Sequence, residues 1–247
     1  MDTIFVSNQT DDSALVIWTA LLTIATLLLA IVAVFQDRIR VKVWGPELDI
    51  VLNVSSPHCH VATTIGRIQN SMTVYPKKWL RYYFRFQIFN NGHSSAKNVE
   101  VILKDVTNGK DESMGLPLDN LLWSTLYLTE SGNYVPRMYW ESISPKTYQY
   151  CNLGHVSEPE LLKISPDELN EKYNLEEYEC LFSFNVYWKT NDKRHIIEKG
   201  TYKFEVIVGC ANGKPVNKKF KMVFDGHWYD DENEMLTKGI RIEEFKI

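Results

Sequence analysis

Soft metal donors cluster at two places in this chain, His58-Cys59-His60 and Cys151-Asn152-Leu153-Gly154-His155. Zinc takes four such donors in a tetrahedron, and a pair from each segment would complete one. Adjacent residues rarely share an ion, so the spacing matches no known finger, although a Cys-x3-His pair can close across a tight turn. Two other uses compete with zinc: surface histidines beside small buried thiols, and a Cys59–Cys151 disulfide. The expectation is the first, with no cofactor, and His58, Cys59, His60, Cys151 and His155 stand as the metal candidates should zinc bind. Asp225, Asp230, Asp231, Glu232 and Glu234 surround His227 and Trp228, but their spacing is not that of a calcium loop and reads as a solvated turn.

Covalent catalysis finds no sequence support. The chain has no G-x-S-x-G, P-loop, G-x-G-x-x-G or H-E-x-x-H, and Ser94 beside His93 falls where a turn is expected. No catalytic residue is therefore assigned. The aromatic residues, 13% of the chain, fall mostly on inward strand positions. Trp123, Tyr127, Tyr139 and Trp140 are less periodic and are the candidates for a protein-binding surface, because aromatic anchors dominate hot spots.

These residues hang from an apolar anchor. Ala14 to Phe35 is a run of 22 residues without a charge, and a helix of that length rises roughly 33 Å, enough for a hydrocarbon core of about 30 Å. A signal peptide fits worse, since no base precedes the run and no small-residue cleavage site follows it. Asp2, Asp11 and Asp12 lie before the span, whereas Arg38, Arg40 and Lys42 crowd its far end. Bases stay on the cytoplasmic side, so the sequence predicts a cell-membrane protein with its N-terminus outside and its C-terminal body in the cytoplasm. Four cysteines without dense spacing suit free thiols in a reducing compartment.

The expected organisation is an acidic tail over 1–13, the span over 14–36, a juxtamembrane segment with a first strand over 37–79, and a β-sandwich over 80–247. All 27 bases and 28 of the 31 acids lie beyond residue 36, leaving that region at −1, without the basic footprint of a nucleic-acid binder. In Leu80 to Asn90 the positions Leu80, Tyr82, Phe84, Phe86 and Ile88 share one face while Arg81, Arg85 and Gln87 share the other, the pattern of a half-buried strand. The same period marks strands at 98–106, 181–189, 201–208 and 219–224, with further candidates at 48–54, 121–128 and 239–245. Asn91-Gly92 and Asn212-Gly213 suit tight turns that need positive φ. Ser165-Pro166-Asp167-Glu168 predicts a capped helix over about 166–173, and the polar stretch 55–78 a long connection.

FQIFNNGHSSAKNVEVIL and GTYKFEVIVGCANGKPVNKKFKMVF resemble strand pairs of immunoglobulin-like sandwich modules, with Gly200 and Tyr202 placed like a tyrosine corner. The whole arrangement resembles uncharacterised bacterial single-span membrane proteins with such a domain. That resemblance implies a mainly β fold and carries no activity. The expected function is a membrane-anchored interaction or sensing module, touching the bilayer through 14–35 and an unidentified protein through its body. The rival expectations are an adhesion domain outside the cell and a zinc-dependent hydrolase.

Overall fold

The computed structural model describes residues 12–70, 73–128, 134–160, 179–189 and 191–245, and the chain divides after Trp44 into a helical unit and a β-rich body. Helix α1 runs Asp12–Trp44, and its stretch Ala14–Gln36 is long and apolar enough to cross a membrane, with none of it buried. Its three threonines do not leave hydroxyls unpaired there. Thr19, Thr23 and Thr26 donate to the carbonyls of Leu15, Thr19 and Leu22 at 2.7, 2.8 and 2.8 Å, the bond that makes a hydroxyl tolerable in an apolar medium.

The body is mainly β and is built from two antiparallel sheets, as the alternating pattern requires. The first sheet contains β1 (Leu48–Leu52), β2 (His60–Asn70), β3 (Thr73–Asn90), β9 (Tyr148–Ser157), β10 (Phe182–Phe184) and β11 (Ile196–Ile197), in the order β1-β3-β9-β10-β11 with β2 also on β3. The second contains β4 (Ala96–Asn108), β5 (Asp119–Asn120), β8 (Tyr139–Ile143), β12 (Gly200–Gly209), β13 (Val216–Phe224) and β14 (Ile240–Phe245), in the order β14-β13-β12-β4-β5 with β8 also on β4. Strands β6 (Leu126–Leu128) and β7 (Tyr134–Pro136) pair with each other.

Inward positions match the alternation. Tyr82, Phe84, Phe86 and Ile88 of β3, Val99, Val101 and Leu103 of β4, and Phe204, Val206 and Val208 of β12 are all buried. Rings from the two sheets meet between them: Phe86 lies 5.0 Å from Phe220, and Phe184 lies 5.8 Å from Phe204, centroid to centroid. Offset and tilted ring pairs of this kind add to the burial itself. Leu80 departs from the pattern at 39% exposed, where β9 ends opposite Arg81 and the inward set of β3 moves to Trp79.

Several expectations change. The polar stretch 55–78 is not one long connection: it holds β2 and the start of β3, a long hairpin arm paired from His60↔Tyr83 to Asn70↔Thr73. The boundary drawn at residue 80 therefore falls inside β3, and the body begins at Gly45. The strand expected over 181–189 stops at Phe184. The chain there changes partners, with Asn185 donating to the Leu153 carbonyl, Val186 bridging Leu121 and Tyr187 donating to the Asn120 carbonyl. The strand expected over 121–128 is likewise split into bridges at Leu121 and Trp123 followed by β6. The capped helix over 166–173 lies outside the described residues.

Both Asn-Gly pairs serve a different purpose from tight-turn φ, and none of the four residues takes a positive φ. Asn91-Gly92 joins strands of different sheets, and Gly92 is required because a Cβ would overlap the backbone of Gly45, Pro46 and Glu47. The β12–β13 hairpin is present, but its loop spans 210–215. Asn212 organises it by side chain, accepting from Lys97 N at 2.9 Å and donating to the Ser95 carbonyl at 2.9 Å. At the entry of β12 the Tyr202 hydroxyl donates to the Glu198 carbonyl four residues upstream, at 3.1 Å.

Candidate functional site

The histidine and cysteine segments meet on the first sheet, but with different partners from those a zinc centre needs. Pairing register sets His60 opposite Tyr83, Tyr83 opposite His155, and His155 opposite Ser183, so one cross-strand row joins β2, β3, β9 and β10. From Arg81 to Phe89 the odd positions of β3 face outward, which puts the Tyr83 ring between two imidazoles. His60 and Tyr83 stack with centroids 6.3 Å apart, and Tyr83 and His155 lie 5.7 Å apart. His155 Nδ1 is 2.8 Å from Asn185 Oδ1.

One row further along β3, Arg85 donates through Nε to the His58 carbonyl at 2.7 Å and lies over the Tyr150 ring, 4.2 Å from its centroid. His58 Nδ1 sits 2.8 Å from the Tyr150 hydroxyl. The 55–59 turn is thereby fastened to the sheet. At the opposite end of the row, Arg81 donates through Nε to Ser157 Oγ at 3.0 Å. Among the described residues neither arginine makes an ion pair with a carboxylate.

Cys59 and Cys151 are buried in the core and unbonded to each other. Burial pushes the Cys59 thiol up to about 11, against the opposing effect of Arg85, and raises Cys151 well above the ordinary thiol range. Both sulfurs are thus protonated at neutral pH, whereas metal ligation and nucleophilic attack use the thiolate. Among the described residues no three His, Cys, Asp or Glu side chains converge. The tetrahedron drawn from both segments is not assembled, because His58 is spent on Tyr150, His155 on Asn185, and the two sulfurs point into the core. The disulfide alternative is not formed either.

Neither protein families, nor curated proteins, nor solved structures yield a match to this chain. Its chemistry has to be read from the residues themselves.

The aromatic candidates separate. Trp123 is 1% exposed and packs against Trp140 at 5.6 Å, so it belongs to the core and offers no docking surface. Trp140 is half-buried, with Arg137 over its ring at 5.0 Å. Tyr139 is 54% exposed and lines an open cleft with Glu100, Cys210 and Pro215. Tyr127 takes its place in β6 opposite Val135. The acidic cluster is structural in part: Asp231 caps the short helix α2 (Glu232–Glu234) by accepting from Glu234 N, and Asp225 accepts from His227 N and from the Tyr229 hydroxyl. Tyr83, Arg81, Arg85 and Asn185 were not singled out from the sequence. The signal of Tyr83, Arg81 and Arg85 lies in the outward half of the Leu80–Asn90 alternation, whereas Asn185 lies just past β10, and only strand pairing shows that the histidines flank this row.

His155 makes this face sensitive to acid. Burial first, then the Arg81 charge, pulls its imidazole down to about 3, although the Asn185 contact favours the charged form. An unfolded histidine protonates near 6.5, so between those values the unfolded chain binds the extra proton. Stability contributed by neutral His155 is complete above about 6.5 and is lost as pH falls toward 3, amounting to about 2 kcal/mol at pH 5. The expected result is a denaturant midpoint that drops between pH 7.5 and 5.0 in the native chain and drops distinctly less in His155→Gln. Equal drops in the two proteins would contradict it.

Proposed function

We propose that the chain is a membrane-anchored interaction or sensing module, with α1 as a single span and the sandwich as its recognition domain in the cytoplasm. One observation carries the reading: a helix with none of Ala14–Gln36 buried precedes a β-rich body whose outward face on the first sheet gathers imidazole, phenol and guanidinium groups. Confinement to the bilayer raises the effective concentration of such a domain toward other membrane proteins. Arg38, Arg40 and Lys42 after the span, with no base before it, support the inward orientation. The protonated, unbridged thiols suit a reducing compartment. An immunoglobulin-like relationship is supported by the Tyr202 hydroxyl bonded to the backbone at Glu198. A protein partner would find Tyr139 and Trp140 at the β8 edge of the second sheet.

Fusing alkaline phosphatase and a green fluorescent protein in turn to Ile247 tests the orientation. Fluorescence without phosphatase activity is expected. Phosphatase activity without fluorescence would overturn the cytoplasmic assignment and favour an adhesion domain outside the cell.

A further inference from the structure

We propose that the rim of the body around Leu118, Tyr187 and Trp188 docks on the headgroup layer of an anionic bilayer, a second membrane contact besides α1. The proposal names a partner for the module described above and rests on α1 spanning the membrane. Strands β5 and β11 are the last strands of the two sheets, and the connection from β10 to β11 is laced to the chain around β5. Leu122 N donates to the Asn185 carbonyl, Tyr187 N to the Asn120 carbonyl, and Trp188 N to Asp119 Oδ2 at 2.6 Å. Leu121 and Val186, which bridge each other, are fully buried, whereas just beyond them Tyr187 is 47%, Leu118 60% and Trp188 68% exposed. Among the described residues neither the Tyr187 nor the Trp188 ring stacks on another ring, so their faces are open. Large apolar side chains gathered at one exposed place mark an interaction surface, unlike those scattered singly.

The residue types select a bilayer as the occupant. Trp and Tyr each join an apolar ring to one polar group, which places them at headgroup depth with the ring in the apolar boundary and the polar atom wet. Charge points the same way. Lys189 follows Trp188 directly, and Lys193 and Arg194 lie on the same connection. Of the acids on these two short segments, Asp192 pairs with Arg194, and Asp119 accepts from the backbone N–H groups of Asn120 and Trp188. The Arg81 charge is near enough to Lys189 to oppose it, and Arg81 belongs to the stretch 50–99, which holds six bases and no acid. Each base close to an anionic surface strengthens binding by about fivefold, and a cytoplasmic leaflet supplies that surface. Only residues 37–44 separate the apolar stretch of α1 from the start of the body. Headgroups are therefore present at high effective concentration, and a contact too weak to hold a free protein suffices here.

The test is hydroxyl-radical footprinting of the full chain in nanodiscs of phosphatidylcholine alone and of phosphatidylcholine with about 30% phosphatidylserine. Oxidation is read by mass spectrometry at Tyr187 and Trp188, with the exposed Tyr139 of the second sheet as internal control. At Tyr187 and Trp188 it is expected to be at least about threefold slower in the anionic discs, with Tyr139 unchanged, and the difference to vanish at about 0.5 M salt. The double variant Lys189→Gln/Lys193→Gln is expected to lose most of that protection, and Trp188→Ser to lose it at Tyr187, each with a native melting transition. Equal rates in the two lipids overturn the proposal, as does equal protection of Tyr139 or unchanged protection in either variant. Both leaflets of a nanodisc carry the same lipid, so the orientation of the chain does not enter. A chain that does not enter the discs removes the span and the docking face with it, whereas a chain that enters them and shows equal rates removes the docking face alone.

Discussion

Asn90→Ala is expected to destabilise the body by about 4 kcal/mol, lowering its melting temperature by roughly 8–16 °C. Asn90 is fully buried at the end of β3, and both polar atoms of its amide are hydrogen-bonded. Its Oδ1 accepts from Glu47 N at 3.1 Å and from Gly92 N at 3.0 Å, and its Nδ2 donates to the carbonyls of Ser94 at 2.8 Å and Ile143 at 2.9 Å. One amide thereby ties together the approach to β1, the turn between the sheets and the end of β8. Alanine strands Gly92 N and the Ile143 carbonyl away from water and leaves Glu47 N and the Ser94 carbonyl unpaired where they are only part-buried, at about 1–3 kcal/mol for each that stays buried and unpaired, less whatever local relaxation recovers. Asn90→Asp separates the donors from the acceptors. It keeps both acceptors and replaces the donors by an oxygen facing two carbonyls, which raises the carboxyl's folded pKa above its unfolded value near 3.9. Stability of that variant is then greatest at low pH and is lost as pH rises, opposite in sign to the His155 effect. A midpoint for Asn90→Ala within about 1 kcal/mol of the native chain would show that the four bonds are dispensable.

What could be read from the sequence follows from which residues face a core. Tyr82, Phe84, Phe86 and Ile88 have a second sheet opposite them, so burial enforces their alternation and makes β3 visible. Along β2 the sequence HVATTIGRIQN shows little apolar alternation, and the arm reads as polar connection although it is fully paired with β3. Strand β10 is only three residues long, since Val186 leaves for Leu121, yet the inward period of Phe182, Phe184 and Val186 persists across that change of partner. In β4 the inward set shifts from Leu103 to Val106 because Asp105 takes a φ of 51° beside an irregularity in the pairing with β12, a local conformation that periodicity does not encode.

The candidate site was legible in the same uneven way. His58, His60 and His155 drew notice as donors, but a donor's partner is fixed by register between strands far apart in the chain. A single-residue slip would have turned Tyr83 inward and left the imidazoles without a ring between them. Cys59 and Cys151 illustrate the converse: their residue type suggests ligation, and their burial in a core raises the thiol pKa and leaves them as small apolar side chains.

Phe182→Ala is expected to cost about 3–5 kcal/mol, and its coupling to Gly154 makes the origin of that cost measurable. Phe182 is fully buried, with ring centroids 5.8 Å from Phe84, 5.1 Å from Phe184 and 6.4 Å from Phe224, so it joins β3 and its own β10 in the first sheet to β13 of the second. Its ring lies over Gly154, where a Cβ would overlap both the ring and the Ser183 carbonyl. Gly154→Ala alone therefore displaces the ring and strains the neighbouring strand. Combined with Phe182→Ala, the new methyl enters space the ring has vacated and fills part of the cavity, while the contact with the Ser183 carbonyl persists. The double variant should thus be more stable than the sum of the single losses by at least about 1 kcal/mol, the range found for residues in direct contact. Denaturant midpoints of the four proteins give that coupling directly. Additivity within about 0.5 kcal/mol would mean that the Ser183 backbone, and not the Phe182 ring, is what excludes a side chain at position 154.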